Sequence, residues 1–168
     1  MLRILLSILM LAALPFTASA QSLIGYFSYD TIMKAMPDYL IAERNLEDLR
    51  TKYDTEMRRA EEEFNAKYEE FLEGQRDFVP SILKKRQNEL QDLMDKNVAF
   101  KKEAQRLLKQ AEADALAPIR QKLKQAIGKV GKAQGYAVIV NTDSEACPYI
   151  DPDHSDNIEP LLRAELGI

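Results

Sequence analysis

The residues most able to do chemistry lie near the C-terminus. Asp151, Asp153, Ser155 and Asn157 alternate as the oxygen ligands of a calcium loop do. The sixth position of such a loop takes a glycine for its sharp turn, and here it is Asp156. The twelfth takes a bidentate glutamate, and here it is Leu162. The stretch therefore reads as a capped polar loop, and no metal site is expected. Cys147 and His154 could form a thiol nucleophile with its base, or two metal ligands, but each is the only residue of its kind. Cys147 falls in a strand-like run, Glu145 to Ile150, where a buried thiol is inert. Gly128, Gly131 and Gly135 follow a helical stretch with no strand before it, so they do not form a phosphate loop. The run Glu61-Glu62-Glu63 reads as solvated helix surface, and only Phe64 after it belongs to the apolar stripe. No catalytic constellation and no cofactor site is expected, so the chain is not read as an enzyme.

The elements that must carry these residues begin with a leader. Arg3 and the amino terminus precede an apolar run, Ile4 to Leu14, then Pro15 and the small residues Ala18-Ser19-Ala20. This is the pattern of a secretory signal peptide over 1–20, cleaved after Ala20. The run is shorter than the ~20 residues of a spanning helix. Residues 21–168 hold 22 basic and 27 acidic groups, a net charge of −5. That balance excludes a general nucleic-acid binder. One cysteine excludes a disulfide framework within one chain. No second apolar run reaches membrane length, so export to the periplasm without stable membrane insertion is expected.

Three blocks follow. Residues 21–36 hold a β-rich run, Leu23 to Tyr29, and a brief helix to Met36 capped by Asp30. Residues 37–117 form an arm of two antiparallel helices, Pro37 to Asp77 and Ser81 onward, with a reversal near 74–81 marked by Gly74 and Pro80. The second helix runs on to Gln134. An apolar stripe in the first helix (Tyr39, Ala42, Leu46, Leu49, Tyr53, Met57, Ala60, Phe64, Tyr68, Phe71) shifts to an eleven-residue repeat after Leu46. Such a repeat makes a nearly straight or slightly right-handed pair. The second helix answers with Leu90, Leu93, Phe100, Ala104, Leu107, Ala111 and Ala115, with Asn97 as a polar interruption. Pro37 to Asp77 carries a net charge of −6 and Ser81 to Ala133 a net charge of +7, so an acidic helix folds on a basic one. Pro118 should kink the second helix.

Residues 118–168 hold the helix root, a strand Tyr136 to Val140, a turn, a second strand Glu145 to Ile150, a polar loop Asp151 to Asn157, and a last helix from Pro160. The fold class is α+β and predominantly α: a coiled-coil hairpin on a small β-strand oligomerisation body. The strands are apolar on both alternating sets, so Ile24, Tyr26, Val138 and Val140 need cover beyond what one chain supplies. A second copy would give that cover and would occupy the open strand edges.

Three segments carry a resemblance: IGYFSYDTIMKAMPDY, APIRQKLKQAIGKVGKAQGYAVIVN and DNIEPLLRAELGI. With the leader and the hairpin they are similar to the Skp/OmpH family of periplasmic chaperones. The resemblance implies a homotrimer with a central β-barrel body, from which three helical hairpins project around a cavity. It implies an ATP-independent holdase that receives unfolded outer-membrane β-barrel proteins and keeps them soluble until insertion. The acidic balance departs from the family's strongly basic members, and no lipopolysaccharide or other ligand site carries over. On this reading the client-binding candidates are Phe78, Val79 and Ile82 at the tip and Leu72, Met94 and Val98 along the arm. Pro118 is the hinge candidate. The competing reading is a structural coiled-coil tether or adaptor in a cell-envelope assembly.

Overall fold

A computed structural model describes residues 23–144 and 146–168. The signal peptide expected over 1–20 lies outside the described residues. The order of elements is β1 (Leu23–Phe27), α1 (Tyr29–Ala35), α2 (Pro37–Gly74), α3 (Pro80–Gln134), β2 (Tyr136–Asn141), β3 (Asp156–Asn157) and α4 (Glu159–Leu166). The fold is α+β and mostly helical. Helices α2, α3 and α4 each carry a proline in the first turn, where its missing N–H costs nothing. Helices α3 and α4 each end on a glycine with positive φ, Gly135 at 76° and Gly167 at 73°.

Helices α2 and α3 have 38 and 55 residues, about 57 and 82 Å at 1.5 Å per residue. They pack as an antiparallel hairpin along one seam. Every position of the α2 stripe is buried or half-buried except Tyr68. On α3 the seam uses Leu108 where the spacing predicts Leu107, which is exposed instead. The helix has drifted by then, because 3.6 residues per turn does not hold a strict three-four alternation. Asn97 stays in the seam, and its Nδ2 donates to the Ala60 carbonyl at 3.1 Å. Among the described residues, only two ion pairs cross the hairpin: Lys122 with Asp38 at 2.8 Å, and Arg50 with Glu112 at 3.8 Å. The second runs against the expected sign. Side-chain packing, not charge, sets the register. Helix α3 is continuous through Pro118. Pro118 has no N–H for the Asp114 carbonyl, so that turn lacks one rung.

The body is a three-stranded sheet in the order β2-β1-β3, with both pairings parallel. The expected strand over 145–150 is not formed at Ala146 to Ile150; the third strand is Asp156–Asn157. Pro148 has no N–H to give a ladder, and Tyr149 is 75% exposed. Cys147 therefore lies half-buried in an irregular segment, not in a strand, with Sγ 3.3 Å from the Tyr149 carbonyl. One sheet face lies on the helices. Phe27 packs there with Ile32, Met36, Leu123, Ile158 and Leu162, all nearly or fully buried. Gly25 lets the layers meet. A Cβ there would lie 2.9 Å from Ile158 Cγ2 and 3.4 Å from the Tyr136 ring. That ring lies against Gly25, and its hydroxyl donates to Asp156 at 2.9 Å, linking the two outer strands.

The corner between β1 and α1 is held from far along the chain. Ser28, not the expected Asp30, is the cap: its Oγ accepts from the Thr31 amide. The amides of Ser28, Tyr29 and Asp30 donate to Glu159, Asn141 and Asp143 at 3.0, 3.0 and 2.7 Å. The free N–H groups of this helix start are thus satisfied by side chains more than 100 residues away. The Asp30 amide holds the Asp143 carboxyl below the usual carboxylate range.

Two outcomes are expected. Gly25→Ala should destabilise the body by about 2 kcal/mol, because Ile158 is a buried β-branched neighbour that cannot swing aside. Urea titration at fixed chain concentration measures this. Asp143 titrates lower when folded than when unfolded, so it stabilises the body above the ordinary Asp range and loses that contribution as pH falls through its lowered value. Asp143→Ala should lower the unfolding midpoint at neutral pH, and the gap to the parent should narrow as pH falls below about 4.

Candidate functional site

The arm offers its surface as a site, not a pocket with chemistry. Its seam is narrow: Leu46 and Ala104 are the buried side chains between Pro37 and Ala115 among the described residues. Apolar residues off the seam therefore face solvent. Leu72, Val79, Ile82, Met94 and Val98 are between 42% and 55% exposed. Met94 and Val98 are four apart and share one helix face. With Phe64, Asn97, Glu61 and Lys101 they line a groove of about 340 Å³ along the hairpin. A second groove, about 310 Å³, lies nearer the tip. Its floor is Phe71, Phe78, Leu90 and Leu93, and its rim carries charges of both signs, such as Lys67 and Glu70. Grooves with apolar floors and mixed charged rims accept an extended chain without demanding one sequence.

Phe78 is placed differently from the other tip candidates. Its ring lies over Gly74 and 6.4 Å from the Phe71 ring, and it is half-buried. A Cβ on Gly74 would come within 2.6 Å of the Phe78 ring. The glycine that ends α2 is thus also the floor on which the tip closes. Val79 and Ile82 project beyond it.

The second surface is the outer face of the sheet. Ile24 pairs with Val138 and Tyr26 with Val140 across β1 and β2. Side chains alternate between faces along a strand, so these four share the face turned away from the helices. Ile24 and Val138 are exposed, and Tyr26 and Val140 are half-exposed. Parallel sheets are normally covered on both faces. This one is covered on one.

At the arm root, Pro118 lines a groove of about 460 Å³ with Ile41, Ala42, Leu49, Ala111 and Ala115. The spacing argument passed over Leu40 and Ile41, which are 50% and 55% exposed. They lie just off the stripe, and an apolar pair beside a seam was the available signal. The acidic loop is self-contained. The Asp151 carboxylate accepts from the Asp153 amide at 3.0 Å and lies 2.8 Å from His154 Nδ1, and the Asp153 amide above all holds its carboxyl below the ordinary range. Among the described residues, no group of three His, Cys, Asp or Glu side chains could hold a metal ion. None of the described helices is long and apolar enough to cross a membrane.

The sequence matches the family model "Outer membrane protein (OmpH-like)" over residues 23–159. The chain belongs to that family. No curated protein matches it in sequence. Among solved structures, it is similar to a crystal structure from Caulobacter crescentus CB15 described as an OmpH-like outer membrane chaperone. The identity is 17% and the TM-score 0.67, over 88% of this chain and 85% of that one, so the likeness is one of fold.

The tip geometry makes a local prediction. Phe78→Ala should open the end of the hairpin, so that amides over 71–83 exchange at least tenfold faster while those of the body are unchanged. Val79→Ser should leave both rates alone. Hydrogen exchange read by mass spectrometry distinguishes the two.

Proposed function

We propose that this member of the OmpH-like family is an ATP-independent periplasmic holdase. Three copies join through the outer faces of their sheets, around Ile24, Tyr26, Val138 and Val140. Their arms then enclose a cavity that holds unfolded outer-membrane β-barrel proteins before insertion. Membership of the family supports a chaperone role in general terms. The observation that carries the finer reading is the pair of uncovered apolar surfaces: a parallel sheet bare on one face, and arms whose Leu72, Val79, Ile82, Met94 and Val98 stand off the seam. The first suits association between copies. The second suits weak, plural contacts with a client.

The physical logic follows from magnitudes. Burying a whole Leu, Met or Val side chain is worth about 1.5–3 kcal/mol. Side chains already half-covered by their own helix give less, so each contact breaks readily. Several together hold a client while none fixes its conformation. Charged residues on every other face keep the arms soluble when empty. Pro118 is the proposed hinge. It removes a rung from α3 at the arm root and faces a groove with room for bending.

Diluting a urea-unfolded outer-membrane β-barrel protein into buffer without nucleotide, with or without the chain, tests this. Light scattering should be suppressed, and the soluble complex should have the mass of three chains and one client. Replacing Leu72, Val79, Ile82, Met94 and Val98 together by Ser should weaken client binding at least tenfold, about 1.4 kcal/mol, without changing the fold. Full suppression by that variant would remove the arms from the mechanism. Unchanged scattering despite a folded oligomer would turn the reading to a dedicated envelope tether.

A further inference from the structure

The charge on the two arm helices is sorted but largely unused within the chain. Helix α2 has twelve acidic residues, and only Asp38, Glu47, Asp48 and Glu56 have an ion-pair partner among the described residues. Helix α3 has thirteen basic residues, and only Lys85, Arg86, Arg106, Lys122 and Lys129 are paired. Most of these pairs lie within one helix. Eight acids on α2 and eight bases on α3 are left over, all on surfaces facing away from the seam or along its margins.

The leftover sets stand at matching heights. The Asn97 side chain reaches the Ala60 carbonyl, so Lys96 and Glu61 flank the same level of the hairpin. Glu61 and Lys101 line one groove, yet no ion pair joins them. Successive residues of a helix point about 100° apart, so Glu61 and Lys101 flank the seam on one side, Glu62 and Lys102 point farther round from it, and Glu63 and Lys96 lie on its other flank, all of them exposed. In a ring of identical copies about an axis along the arms, every residue keeps its height, and α2 of one copy comes beside α3 of the next. In net charge acidic then meets basic at each junction over the outer half of the arm, with Arg58 on α2 and Asp92 and Asp95 on α3 as the opposing charges at this level. The opposite arrangement, like helix beside like, sets acid on acid.

We infer that the sorted charge is an interface between copies: the acidic surface of α2 at Glu61 and Glu62 docks on the basic surface of α3 at Lys101 and Lys102 of the neighbouring chain, drawing the empty arms together. This rests on the proposed oligomer. Each exposed pair is weak, so closure is reversible and a client entering between the arms can displace it. The attraction depends on salt, since the screening length falls from ~10 Å at 0.1 M to ~3 Å at 1 M.

Spin labels on Gln75→Cys in a Cys147→Ser background report tip-to-tip distances by pulsed electron resonance, with oligomer mass measured on the same samples. The tips should lie closer at about 0.1 M than at about 1 M salt. Glu61→Lys and Glu62→Lys together should hold them apart at low salt. Adding Lys101→Glu and Lys102→Glu to the same chain should restore the short distance, which loss of a helix face alone cannot explain. Circular dichroism checks that each variant keeps its helices. An oligomer whose tip distances ignore salt, or whose double charge reversal fails to restore them, overturns this inference alone. A monomeric chain overturns it together with the oligomer on which it rests.

Discussion

Everything in this molecule hangs on the central position of β1. It is five residues long, yet it pairs with β2 on one edge and β3 on the other. Both partners lie beyond the whole arm in sequence. The chain must therefore run out along α2, turn, and return along α3 before the sheet can close. Parallel pairing requires such a crossover. Here the crossover is the arm itself. Closing so long a loop costs entropy, but the cost grows only slowly with length. The body offsets it by collecting its fully buried side chains from both ends: Ile32 from the first part of the chain, Leu123 from the helix root, Ile158 and Leu162 from the last.

The arm is built to a different standard. Away from the root its seam is one row of side chains wide, and most of that row is only half-buried. A helix pair of this kind is held by many small contributions and by its anchorage in the body. Asn97 gives up apolar contact in the seam but donates to the Ala60 carbonyl, and a single polar seam residue of this kind can specify register. The thinness of the seam has a direct consequence: apolar side chains one position off it cannot be hidden. What would be a flaw in a globular domain is, on the proposed function, an adhesive surface.

The separation of roles follows. Rigidity sits in the body, where α1 is capped by Glu159, Asn141 and Asp143 and where Gly25 admits Ile158 to the sheet. On the proposed function adaptability belongs to the arms, with Pro118 near the boundary. The parallel sheet with one bare face lies at the base, where association between copies would fix the spacing of the arms without stiffening them.

Local order was readable from sequence. The seam, the proline that starts α2, the reversal marked by Gly74 and Pro80 and the cap at Gly135 all depend on residues within a few turns of one another, and local pattern records them. The apolar character of both strand faces was also readable, because strand alternation is local. What the tertiary structure decided was partnership. The third strand is Asp156–Asn157, two polar residues with no strand pattern, which pair only because Ile158 beside them is buried against Gly25. The YAVIV run could name β2 but not its parallel neighbour. Asp30 looked like the cap of α1, whereas Ser28 and three distant side chains do the capping. Leu108 replaced Leu107 once helical drift had accumulated over the arm, and Phe78 folded onto Gly74 because a missing Cβ left room there. Each of these depends on groups far apart in the chain or on a fit of shapes, and neither leaves a period in the sequence.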